Sequence, residues 1–125
     1  MRITGNCRTE TGRHAEQLAE RYLGGKGLRL LARNYRCRGG EIDLIMSDGD
    51  SLVFVEVRYR KHQHFGGAAA SVDRRKQQRL ILAAQYYLQQ TRSSSLPCRF
   101  DVVAISPGGH DGPRIEWLTN AFELD

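Results

Sequence analysis

The chain predicts an α/β domain: a mixed sheet flanked by helices, in the order αβββαβ with a short last strand. Three observations carry this. Two stretches place apolar residues at helical spacing, and four place them as strands do. The segment 52–105 reads strand, helix, strand, which brings its two strands parallel through a right-handed crossover. The hairpin before it, with turn residues at its tip, is antiparallel.

The first helix spans 9–23, where Ala15, Leu18, Ala19, Tyr22 and Leu23 fall at i, i+3, i+4, i+7 and i+8. Thr9 or Thr11 caps it, and Gly24-Gly25 ends it. Strands follow at 28–35, 41–47 and 52–58, with Asp48-Gly49 as the turn between the last two. Residues 59–72 hold Gly66, Gly67 and three alanines and predict a mobile loop. A second helix spans 73–90, a strand 99–105, and a short strand follows "SPGGHDGP" around 114–118.

At 125 residues this is one domain, 9–125, behind a flexible tail at 1–8. It is long enough to bury a core without disulfides. Apolar residues make up 40% and charged residues 26% of the chain. No apolar run approaches the roughly 18 residues of a membrane span. The start "MRITGNCRTETGRH" has no apolar signal core, so the expected location is the cytoplasm and no membrane is a partner. Cys7, Cys37 and Cys98 form no CxxC pair, which argues for reduced thiols. His62 and His64 form an HxH pair without a third ligand of suitable spacing nearby.

The net charge is +5. From Arg58 to Arg92 eight basic residues (Arg58, Arg60, Lys61, Arg74, Arg75, Lys76, Arg79 and Arg92) stand against the single acid Asp73. Such a block attracts polyanions, nucleic acid foremost, or else is a solvated face.

The hairpin "GEIDLIMSDGDSLVFVEVRYR" carries the chemistry. Side chains alternate along a strand, so Glu41, Asp43 and Ile45 share one face. Closing the hairpin at Asp48-Gly49 brings Leu52, Phe54, Glu56 and Arg58 to the same face and sets Glu41 opposite Glu56. Ile42, Leu44, Val53, Val55 and Val57 then pack on a helix from the other face. Like charges opposed across strands destabilise a sheet, and a hard cation relieves them. The same spacing also fits acids that reach water and pair with Arg36, Arg38 or Arg58. Two further residues break their local pattern. Glu16 lies at the margin of the first helix's apolar arc. Lys76 lies on the apolar face of the second helix, one turn before Leu80. Each fits a cleft beside the sheet or an ordinary surface position.

An acid in the first helix, an Asp in one strand and Glu-x-Lys in the next resemble the PD-(D/E)xK nuclease pattern, here Glu16, Asp43, Glu56 and Arg58. "GEIDLI", "FVEVRYR", "GGAAASV" with "RRKQ", and "CRFDVVAI" resemble the bacterial YraN-like family, from about Gly12 to Phe122. The resemblance implies a restriction-endonuclease-like fold related to Holliday-junction resolvases. It implies a metal-dependent endonuclease on structured DNA, or a nucleic-acid-binding module of the same fold with the chemistry weakened. Asp43 and Glu56, with Glu41 beside them and the Val57 carbonyl as a further donor, would hold Mg²⁺ or Mn²⁺. Glu16 would act through water or a second metal. Lys76 would reach a phosphate or the attacking water. Arg60, Lys61, Arg74, Arg75 and Arg79 would hold the nucleic-acid backbone. Cutting both strands implies a homodimer. Arg58 stands where the pattern has lysine; arginine stays protonated and donates in a planar fork, so it is a poor base. Asp101 and Trp117 read as structural.

Overall fold

The computed structural model describes residues 9–61 and 72–123. The predicted tail at 1–8, most of the predicted loop, and the His62–His64 pair lie outside the described residues.

The elements are α1 (Glu10–Gly25), β1 (Arg29–Cys37), β2 (Gly40–Asp48), β3 (Ser51–Tyr59), α2 (Arg74–Gln90), β4 (Cys98–Ser106) and β5 (Arg114–Phe122). The five strands form one sheet in sequential order. β3 and β4 are parallel, and the other neighbours are antiparallel. This is a five-stranded mixed sheet flanked by two helices, the arrangement of a restriction-endonuclease-like core. No described helix is long and apolar enough to cross a membrane.

Both helices start as their sequences require. The Thr9 side chain accepts from the Gly12 amide at 2.9 Å, and the Asp73 side chain accepts from the Lys76 amide at 2.9 Å. Both faces of the sheet are covered. Ala15, Ala19 and Leu23 of α1 pack on Leu44, Met46, Val53, Val55 and Val103. Leu80, Ala83, Ala84 and Leu88 of α2 pack on Ile45, Leu52, Phe54, Phe100 and Val102. The face that carries the acids is thus itself core over most of its length.

Three expectations need correction. The two-residue turn is Gly49-Asp50, since Asp48 pairs with Ser51 and Ser47 with Leu52. Gly49 has φ +63, as the first central position of a II′ turn requires, and Asp50 is not among the residues with positive φ. Moving the turn by one residue moves the register by two. Along the paired length the faces therefore stay as expected, and the same register continued past Leu44–Val55 sets Asp43, and not Glu41, level with Glu56.

The alternation also breaks near Asp43. Ile42 packs on the α2 side with Ile45, away from the α1 side where Leu44 lies. β1 matches it: Ala32 and Tyr35 pack on the α2 side, while Arg33 and Asn34 between them both bond to α1. The β1–β2 pairing passes over Asn34 and Asp43, and Asn34 has φ +49. Asn enters this left-handed region more readily than a bulky residue. The third correction is β5, which continues past Leu118 to Phe122. Asn120 at φ +52 interrupts its alternation, yet Phe122 still stacks on Phe100 with centroids 4.8 Å apart.

Candidate active site

The kink at Asn34 and Asp43 makes the site. The paired register of β2 and β3 runs only to Leu44 and Val55. Beyond it the Asp43 carboxylate occupies the gap and accepts the Val57 amide at 2.8 Å. A side chain has replaced a rung of the ladder, so Asp43 is held at the point where the strands part.

Gly40 sets the second boundary. A methyl group there would overlap the Arg79 carbonyl oxygen and come within 3.1 Å of the Ala83 nitrogen. α2 therefore lies directly on the start of β2. Lys76, one turn before Arg79, is carried over the acids.

The result is a cleft of about 280 Å³, lined among others by Glu16, Asn34, Glu41, Asp43, Glu56, Arg58 and Lys76. All five residues predicted as catalytic and all three predicted as metal-binding meet in it. Glu56 is the most buried of the ion-paired acids here, with 3% of its side chain exposed. Lys76 Nζ stands 3.6 Å from Glu56 Oε2 and 3.9 Å from Glu41 Oε2. Arg58 Nη1 stands 3.3 Å from Glu56 Oε2. Glu41 also faces Arg36 Nε at 3.7 Å. Glu16 Oε1 accepts from Asn34 Nδ2 at 3.1 Å.

Burial pushes the Asp43 carboxyl well above the ordinary carboxylate range, and the Glu56 charge pushes it further; the Val57 amide pulls the other way. Burial also raises Glu56, against the opposing charges of Lys76 and Arg58. Glu56 Oε1 is buried with no hydrogen-bond partner among the described residues. A buried acceptor left bare is costly, by about 1–3 kcal/mol.

A cation would satisfy that oxygen. Among the described residues no three His, Cys, Asp or Glu side chains form a ready metal cluster. Mg²⁺ keeps several waters and takes one or two carboxylates. Asp43 and Glu56 fit that donor set.

The predicted backbone-binding residues divide. Arg75 and Arg79 join Arg58, Lys76 and Asp73 around a smaller hollow of about 200 Å³. Arg60, Lys61 and Arg74 line neither hollow. The sequence reading did not pick out Asn34. Its signal was there: asparagine inside a strand is unfavourable and marks a break. Asp101 is structural, as expected. It is buried and accepts from Arg99 Nε at 3.0 Å, Trp117 Nε1 at 3.0 Å and the Asn120 amide at 2.9 Å.

The model of the Uncharacterised protein family UPF0102 matches residues 15–105. The chain belongs to this family. It is 59% identical over 113 residues to a UPF0102 protein of Pseudomonas entomophila, covering 90% of this chain and 92% of the relative. It is 57% identical over 116 residues to a UPF0102 protein of Pseudomonas putida, covering 92% and 94%. With a UPF0102 protein of Methylococcus capsulatus it shares 53% over 123 residues, 98% of each chain. The YraN-like resemblance drawn from "GEIDLI" and "FVEVRYR" is borne out by this membership. The family model runs from Ala15 in α1 to Ile105 in β4 and takes in every cleft-lining residue but Gly12.

Proposed function

We propose that this protein is a metal-dependent endonuclease acting on structured DNA. The observation that carries the reading is the pair Asp43 and Glu56. They are two desolvated carboxylates at a parting of strands, one with a bare buried oxygen, ringed by Arg58 and Lys76. No core needs such a pair. A site for Mg²⁺ or Mn²⁺ between them accounts for it, with the Val57 carbonyl as a further donor.

The chemistry such an ion supplies is a more acidic bound water and neutralisation of charge on the phosphate. The chain's own groups do the rest. The Val57 amide holds one Asp43 oxygen, so that the carboxylate keeps one orientation. Arg58 donates to a phosphate oxygen and cannot take a proton. Lys76 reaches in from α2 to orient the attacking water or a phosphate oxygen. Arg75 and Arg79 hold a neighbouring phosphate. Glu16, steadied by Asn34, faces the cleft from α1 and acts through water or a second ion. Cutting both strands of a junction calls for a homodimer.

One observation favours a second reading, a binding module of the same fold. Arg58, where the nuclease pattern has lysine, is ion-paired to Glu56 and competes with a cation for it. One experiment separates the two: incubation of four-way junctions, flaps and single strands with Mg²⁺ or Mn²⁺, comparing wild type with Asp43→Ala. Cleavage by wild type alone supports the nuclease. Binding without cleavage supports the module.

A further inference from the structure

A third hollow adjoins the cleft. It is a groove of about 490 Å³, walled by Ala15 and Leu18 of α1, Tyr59 of β3, and Ile105, Pro107 and Pro113. Its rim carries Glu10, Thr11, His14 and Ser106. Tyr59 and Ala15 line both the groove and the cleft. Arg58 and Lys76 line both the cleft and the basic hollow. The three hollows therefore adjoin in one order: basic hollow, acids, apolar groove.

The alternation of β3 explains the order. Glu56 pairs with Lys76 on the α2 side, while Val57 packs on the α1 side. Arg58 and Tyr59 repeat the step. Successive residues thus aim a cation at one hollow and an aromatic ring into the other. Tyr59 and Ile105 pair at the carboxyl end of the parallel β3–β4 pair, where open α/β sheets bind ligands. Tyr22, Tyr35 and Tyr87 make edge-on ring contacts inside the fold, whereas Tyr59 is 39% exposed.

A continuous duplex hides its base faces by stacking. It offers a protein phosphates, sugars and groove edges, and would leave an apolar groove beside the scissile phosphate unfilled. An unpaired nucleotide offers a flat apolar face that stacks on an aromatic side chain whatever its sequence. Resting on the nucleic-acid reading of the cleft, we propose that the Tyr59 groove holds the unpaired base next to the scissile phosphate. The substrate is then a nucleic acid with an unpaired nucleotide at the cut, such as a flap, a fork or a single strand. Its backbone runs from the Arg75–Arg79 hollow across the acids, and the following base turns down onto Tyr59.

The test is binding, read by fluorescence anisotropy with Ca²⁺ in place of Mg²⁺ so that cleavage plays no part. The probes are a labelled flap, a single strand and a continuous duplex of equal length. Wild type should bind the flap and the single strand more tightly than the duplex. Tyr59→Ala should weaken flap binding by about 5- to 150-fold, the loss of one base–aromatic stack, and leave the duplex unchanged. Tyr59→Phe, which keeps the ring, should bind as wild type. A flap scanned with single abasic nucleotides should reproduce the loss on the wild-type protein at one position, and that substitution should add little to Tyr59→Ala. The abasic series needs no variant to fold. Equal binding of flap and duplex, with no abasic position that weakens it, overturns the groove and leaves the nuclease reading standing. Failure to bind any of the three overturns both.

Discussion

Asp43→Asn should stabilise the metal-free protein at neutral pH while destroying its metal site. The folded Asp43 carboxyl titrates above its ordinary value of 3.8, because it is buried beside Glu56. Such a group loses stability for the fold as pH rises from the unfolded value through the folded one. As pH rises, ionising Asp43 therefore costs wild type stability that the asparagine variant does not lose. The new amide can also donate to the Glu56 carboxylate, whose Oε1 has no hydrogen-bond partner among the described residues. A hydrogen bond to a charged group contributes about 1.5–3 kcal/mol. Weakening of the 2.8 Å bond from the Val57 amide, which now meets a neutral acceptor, takes back about 1 kcal/mol. The net gain is about 0.5–2 kcal/mol, or about 2–10 °C in Tm for a domain of this size. The assay is thermal unfolding in EDTA at pH 7.5 and again near pH 4. The variant should melt higher at pH 7.5, and the gap should shrink at the acid pH. Mg²⁺ should raise the Tm of wild type and not that of the variant. A variant less stable than wild type at pH 7.5, or a gap that ignores pH, would refute the claim that Asp43 is held against its own charge.

Lys76→Met should destabilise the metal-free protein by about 1–3 kcal/mol, because buried Glu56 loses a cation 3.6 Å away; added Mg²⁺ should restore part of the loss, as read by urea unfolding. Gly40→Ala should unfold or severely destabilise the domain, by about 3 kcal/mol or more, since the methyl group meets the Arg79 backbone; a wild-type melting curve for this variant would show that α2 does not rest on β2. Asp101→Ala leaves Arg99, Trp117 and the Asn120 amide without their common acceptor, and should cost about 3–5 kcal/mol with a change in Trp117 emission. Arg75→Ala combined with Arg79→Ala should weaken DNA binding and lower the slope of log affinity against log salt by about 1–2, as measured by anisotropy across a salt series.

Much of the site was legible because its signals are local. Glu56 and Arg58 stand on a strand whose alternation is plain, and Asp43 is an acid within an apolar strand. Lys76 betrays itself as a charge on an apolar helical face. Asn34 was legible only as an oddity, since its role depends on Glu16 of α1, eighteen residues away. The turn was misplaced by one residue because Asp48-Gly49 and Gly49-Asp50 are both turn dipeptides. The choice between them rests on cross-strand packing and on φ +63 at Gly49, not on composition. On the acid-bearing face Ile45 and Phe54 are buried under α2, and only its Glu56 end reaches the cleft, a division that periodicity does not reveal.

The sequence by itself determined both helices, the five strands in outline, the family, and the identity of every charged group in the cleft. Each of these is written in short-range periodicity or in ordered motifs. Only the tertiary structure decided which acids meet. Asp43 comes level with Glu56 because the turn sits at Gly49-Asp50, one residue later than the dipeptide signal suggests, and it faces inward because β1 and β2 kink together at Asn34. Lys76 reaches them because Gly40 lets α2 touch the sheet. Those are distances between parts of the chain far apart in sequence, settled by packing the two faces of one sheet at once.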